Sequence, residues 1–152
     1  MEKTTIHMVP EPRKSELVQA TYGIIGAMIE VYKNLGAGMP EYIYQEALIT
    51  RRGPQRKPNA VFAMGRAGTS EYFLPKYFFG TCIEDSSREE TPIGNVIVEC
   101  KALSALTERE HYQVFGYMRG TGWPVAILVN FGASPRAQIE RFYNDNNTIA
   151  VF

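Results

Sequence analysis

Two cysteines in 152 residues, at no spacing that a metal site uses, remove two classes of small fold at once. Cys82 and Cys100 form no clustered thiol set, so neither a disulfide framework nor a zinc-organised domain is indicated. A surplus of charge is also lacking: Lys plus Arg and Asp plus Glu number 16 each. Coating nucleic acid regardless of sequence needs many phosphate contacts, and this balance argues against it. A local basic groove stays open. No run approaches the ~18 apolar residues of a membrane span. Met1 to Lys14 has no apolar core of a secretory signal, and it mixes Arg13 and Lys14 with Glu2 and Glu11, which suits a transit peptide poorly. The expectation is an intracellular, reducing compartment, either cytoplasm or an organelle matrix. No internal repeat or low-complexity segment interrupts the chain.

What remains is ordinary for a globular protein: 45% hydrophobic, 21% charged and 12% aromatic residues. A chain of this length buries about 70% of its unfolded surface, so one domain needs no staple. The expected organisation is an extended arm over residues 1–14, marked by Pro10 and Pro12, and a single domain over 15–152.

Ser15 is the expected cap of a first helix, in which Leu17, Ile24, Ile25, Met28, Ile29, Tyr32 and Leu35 keep helical spacing up to Gly36. Pro40 suits the first turn of a second helix reaching about Arg52, with Tyr44, Ala47 and Leu48 inward. Arg51, Arg52, Arg56 and Lys57, with Pro54 and Pro58, form the most basic stretch, read as a solvated loop or as a contact for phosphate or a partner. Val61–Met64 reads as a short strand, Glu71–Ile83 as an aromatic second strand, and Glu84–Asn95 as a long hairpin loop. Val96–Lys101 is a third strand. Thr107 caps a helix that carries Glu108 and Glu110 in its first turn and runs to about Arg119. Val125–Phe131 is a continuous apolar strand, expected to be buried on both faces and parallel to a neighbour. The tail, with Ile139, Phe142, Tyr143 and Ile149–Phe152, is expected to add one or two edge strands. The fold class is α/β: a central mixed sheet, with the first two helices on one side and the Thr107 helix on the other.

Within this frame Glu99-Cys100-Lys101 stands out. A strand alternates its side chains, so Glu99 and Lys101 share a face at the end of the buried run Val96-Ile97-Val98. Charged residues are rarely buried unless paired. One reading is a salt bridge at a strand end. The other is a metal-assisted phosphodiesterase site, where the carboxylate holds the ion and the lysine steadies water or phosphate.

Four further motifs point to a family. Gly38-Met39-Pro40-Glu41-Tyr42-Ile43-Tyr44 matches the GxxExxY signature at every fixed position, and Glu41–Leu48 looks like its E-x-x-Y-x-x-A-L continuation. Val96–Ala102 is similar to the core ExK strand, Gln113–Tyr117 fits the QxxxY pattern, and Leu128–Gly132 looks like the closing strand. The chain therefore resembles the GxxExxY branch of the PD-(D/E)XK nuclease superfamily, over about Leu17 to Gly132. The resemblance implies the restriction-endonuclease-like (PD-(D/E)XK) fold and a Mg²⁺ or Mn²⁺ site. Glu99 and the main-chain carbonyl of Cys100 would be ligands, Lys101 would orient the nucleophile, and Glu41 would support the ion. Gln113 and Tyr117 would line the site. The alternative for Tyr44 and Tyr117 is core packing, with the hydroxyl bonded at the rim.

One family element is missing. Where the pattern places an aspartate on the strand before ExK, this chain has Tyr77-Phe78-Phe79-Gly80. Glycine offers no side-chain oxygen, so a principal ligand is lost. Glu84 shares a face with Gly80 but lies about 13 Å farther along a regular strand. Asp85 faces the other way. Two functions follow: a nuclease-like fold with a degenerate metal site, serving as a structural or interaction subunit of a larger assembly, or an active metal-dependent DNA or RNA phosphodiesterase using Glu41, Glu99 and Lys101. The first is favoured from sequence. Nucleic acid contact would run through Arg51, Arg52, Arg56 and Lys57. By register Cys82 and Cys100 fall on opposite faces and form no disulfide.

Overall fold

A computed structural model describes residues 7–52, 60–63 and 96–152, with side chains at 7–48 and 96–152. The expected aromatic strand, the hairpin after it, Gly80, Cys82, Arg56 and Lys57 lie outside the described residues, as do the side chains of Arg51 and Arg52.

The elements follow the order β1 (His7–Met8), α1 (Arg13–Leu35), α2 (Glu41–Arg52), β2 (Ala60–Ala63), β3 (Val96–Lys101), α3 (Glu108–Thr121), β4 (Val125–Asn130), β5 (Gln138–Asp145) and β6 (Thr148–Val151). Among the described residues they build one mixed sheet in the order β1-β6-β5-β4-β3-β2. The β2, β3 and β4 strands run parallel, and β5 is antiparallel to both β4 and β6. The β4 strand is parallel to β3 as its unbroken apolar run implied, with Val96 opposite Val125 and Lys101 opposite Asn130.

The alternation of β3 divides the core. Val96, Val98 and Cys100 face α1 and α2, together with Leu17, Met28, Val31, Tyr44 and Leu48. Ile97 faces α3, with Val114, Phe115, Met118, Leu128 and Phe142. Glu99 and Lys101 share the parity of Ile97.

Two expectations change. The first helix begins at Arg13, not near Ser15. Pro12 takes the cap position without a side-chain bond, and the Glu11 carboxylate accepts from Ser15 N at 3.2 Å and Ser15 Oγ at 2.6 Å. The tail strands β5 and β6 are interior, because His7–Met8 covers β6 in parallel register and Val9 N continues the ladder to Val151 O.

The third helix is held at two points. At its start, Thr107 N and Oγ1 both donate to Glu110 Oε2, at 2.8 and 2.6 Å, and Arg109 N donates to Thr107 Oγ1. One turn on, His111 bonds through both ring nitrogens, to Thr107 O and to Glu140 Oε2 on β5.

The segment after β3 is tied to the segment after β4. Asn130 is wholly buried; its Oδ1 accepts from Leu103 N and Gly132 N, and its Nδ2 donates to Leu103 O. A Cβ at Gly132 would collide with the Leu103 backbone, so only glycine permits this approach. Asn130→Ala should cost about 1–3 kcal/mol, because it removes the three hydrogen bonds of a fully buried amide and leaves a hole in its place. Gly132→Ala should cost about 1–3 kcal/mol through overpacking. Urea unfolding of the two variants checks both values.

Candidate active site

The apolar run Val96-Ile97-Val98 forces β3 into the centre of the parallel part of the sheet, with β2 and β4 as neighbours. The two charged residues that follow are carried inside with it. Glu99 has no exposed surface and Lys101 is 9% exposed. Lys101 Nζ lies 2.8 Å from Glu99 Oε1. Beyond this ion pair, neither Glu99 oxygen accepts a hydrogen bond among the described residues. A buried carboxylate without hydrogen bonds costs several kcal/mol unless a cation balances it.

Other groups converge on the pair from two elements. Glu41 opens α2 and is half-buried; Gln45, one turn later and itself buried, donates to Glu41 Oε1 at 3.2 Å. Gln113 and Tyr117 lie one turn apart on α3, with Gln113 Nε2 donating to the Tyr117 hydroxyl at 3.0 Å. Glu110 of the capping box also lies within electrostatic reach of Lys101.

Burial pushes the Glu99 carboxyl up to about 7, with Lys101 opposing and Glu41 adding to the rise. Glu41 is likewise raised by burial, with Lys101 opposing. Burial alone pulls the Lys101 ammonium down, but Glu99 and Glu41 outweigh it and the net direction is up. The Tyr117 phenol is raised by burial and by Glu99. One ammonium thus faces two carboxylates, Glu99 and Glu41, an excess of negative charge suited to a further cation.

A main-chain oxygen adds to this. Backbone groups of successive strand residues point alternately to the two neighbouring strands. Lys101 O accepts from Phe131 N, just beyond β4. The Cys100 carbonyl is therefore directed to the other side, towards β2, whose pairing ends with Ala63 opposite Glu99. The Cys100 thiol faces the opposite core and is held well above its usual range by burial.

The model of the PD-(D/E)XK nuclease superfamily matches residues 18–58 and 65–142. The chain belongs to the PD-(D/E)XK nuclease superfamily. Searches of curated proteins and of solved structures return no match. The mixed sheet with α1 and α2 on one face and α3 on the other is consistent with the fold of this superfamily.

Most residues expected at a PD-(D/E)XK site come together here: Glu99 and Lys101 in contact, Glu41 within electrostatic range, and Gln113 bonded to Tyr117 on the facing helix. Gly80 lies outside the described residues. Tyr44 is a core residue, as its inward position on the second helix implied. It is fully buried and stacked on Phe131 at 4.5 Å, its hydroxyl donates to Gly36 O and accepts from Met39 N.

Gln45, Glu110 and Asn130 are supporting residues that the motifs did not single out. Gln45 follows Glu41 at i+4, Glu110 completes a Thr-x-x-Glu capping box, and Asn130 ends an apolar run; each spacing carried a signal. Divalent metals are common in the superfamily. Among the described residues no three His, Cys, Asp or Glu side chains group as a metal site. Mg²⁺ keeps several waters and needs only one or two carboxylates, and the buried Glu99 carboxylate with Glu41 and the Cys100 carbonyl fits that demand.

The raised Glu99 fixes a pH signature. Between its ordinary value of 4.5 and about 7, the folded chain binds the extra proton. The contribution of Glu99 to the stability of the metal-free protein should therefore be fully present below about 4.5 and be lost as pH rises to about 7, by at most about 3 kcal/mol. Denaturant midpoints across this range should decline in the wild type, and the decline should be much smaller in Glu99→Gln.

Proposed function

We propose that this chain is a divalent-metal-dependent phosphodiesterase of the GxxExxY branch, acting on nucleic acid inside a reducing compartment. The observation that carries this reading is Glu99: a fully buried carboxylate whose one partner among the described residues is the Lys101 ammonium, 2.8 Å away. A salt bridge kept for packing alone would place the carboxylate where donors satisfy it. Glu99, Glu41 and the Cys100 carbonyl would hold Mg²⁺ or Mn²⁺. A bound ion would polarise the phosphoryl group and lower the pKa of an attacking water. Lys101 would hold that water or neutralise charge growing on the phosphoryl oxygens. Gln113 and Tyr117 would line the phosphate path. Arg51, Arg52, Arg56 and Lys57 would supply backbone contacts along the nucleic acid.

A second reading is favoured by one sequence observation, Gly80 at the place of the aspartate ligand. In it the metal site is degenerate and the chain is a structural or interaction subunit of a larger assembly, bound to protein partners.

Isothermal titration with Mn²⁺, paired with cleavage assays on single- and double-stranded DNA and RNA, separates the two. The nuclease reading expects metal binding, with affinity falling about tenfold per pH unit below about 7 as Glu99 takes up its proton. It also expects Lys101→Ala to lower cleavage at least about 100-fold, and Glu99→Gln to remove both binding and cleavage. Absence of binding at millimolar Mn²⁺ in the wild type, with binding restored in Gly80→Asp, would overturn it in favour of the degenerate subunit.

A further inference from the structure

The outer face of α1 carries a pattern that the site does not use. Glu16, Gln19, Gly23, Gly26, Glu30 and Lys33 recur at alternating steps of three and four, and all six are exposed. That repeat forms a straight seam along one helix, the spacing used when two helices pack side by side. Tyr22 and Ile29 flank the seam on one side and are 77% and 43% exposed. Glycine disfavours a helix interior. Among the described residues a Cβ at Gly23 or Gly26 would meet nothing within 4 Å, so packing against them gives no reason for glycine at either place.

The seam is complementary to itself when reversed. If two copies of α1 cross antiparallel with the two-fold axis between Gly23 and Gly26, Gly23 of one copy faces Gly26 of the other. Glu16 then faces the second copy's Lys33, and Gln19 faces its Glu30. Glu16 already pairs with Arg13 at 2.9 Å on an exposed surface, and a carboxylate accepts from two cations at once. Two-fold symmetry also brings like flanks together, so Tyr22 of one copy meets Ile29 of the other. Opposite charges at Glu16 and Lys33, an amide opposite Glu30 and the apolar flanks come together in one register, and the small central residues allow close approach.

We propose that the chain forms an antiparallel two-fold dimer through α1, centred on Gly23 and Gly26 with Glu16 against Lys33 at each end. The occupant of this face is a second copy of the same chain. A single helix pair sits at the small end of interface sizes, so the dimer is weak.

Sedimentation equilibrium from about 10 µM to about 1 mM, a range centred on weak affinities, tests it on the full chain. A monomer–dimer equilibrium is expected. Glu16→Lys should weaken it at least tenfold through like charges at both ends, and Glu16→Lys with Lys33→Glu should restore it. Gly26→Ala should separate two effects. At low concentration it raises the melting temperature of the monomer by about 2–4 °C, through helix propensity. At high concentration it weakens the dimer. A chain that stays monomeric throughout overturns the proposal, as does a dimer that the charge reversal and Gly26→Ala leave unchanged.

Discussion

The site rests on how the end of β3 is fastened to the end of β4. Asn130 fixes the Leu103 backbone from both sides, and Gly132 lets it come close enough. Between them lies Phe131, whose N–H donates to Lys101 O and whose ring stacks on Tyr44. Tyr44 in turn holds Gly36 and Met39, the loop that launches α2, where glycines at positive φ make the turn. Glu41 is the first residue of that helix. One short segment after β4 therefore sets both halves of the acidic site: Lys101 on the strand and Glu41 on the helix. Disturbing the clamp should be felt at both carboxylates, although Asn130 and Gly132 present no side chain to a substrate.

The electrostatics follow from that placement. The sheet surrounds Glu99 with Val98, Cys100 and the neighbouring strands, so water cannot solvate it. Lys101 offsets part of the cost, but a lone buried ion pair seldom repays its own desolvation. Glu41 then adds negative charge around the same ammonium. Such a cluster is poor design for stability and good design for gathering a cation, which is why perturbed groups concentrate at functional sites.

Much of this was legible because the informative residues stand at fixed spacings within regular elements. Val-Ile-Val followed by Glu-x-Lys fixed a strand and the shared face of its charges. Thr107 with Glu110 announced the start of α3, and the unbroken run Val125–Phe131 announced a parallel partner for β3. The legible part of the site was the part carried on these elements. What escaped depended on contacts distant in sequence. The strand His7–Met8 has only two residues and no periodicity, and it is extended because β6 offers an unpaired edge. Pro12 and Glu11 displaced the expected Ser15 cap because a carboxylate four residues back reached the Ser15 amide first. Tyr44 was legible as a core residue from its place on the inner face of α2, but the partner its ring stacks on, Phe131, lies 87 positions away in the chain, which no local pattern reveals.

The two faces of the sheet have different duties, and this bears on how the molecule meets others. The acidic pair points to the α3 side, where the capping box and the His111–Glu140 bond hold Gln113 and Tyr117 against the strand that carries Glu99 and Lys101. Helix α1 covers the other face with Leu17, Ile24, Met28 and Val31, and its outer seam contributes nothing to the acidic cluster. A contact made through that seam leaves the α3 face open and directs the sites of two copies away from each other. Each site would then meet its own phosphate independently. A second copy would add a second acidic cluster on the same particle without supplying a residue to the first.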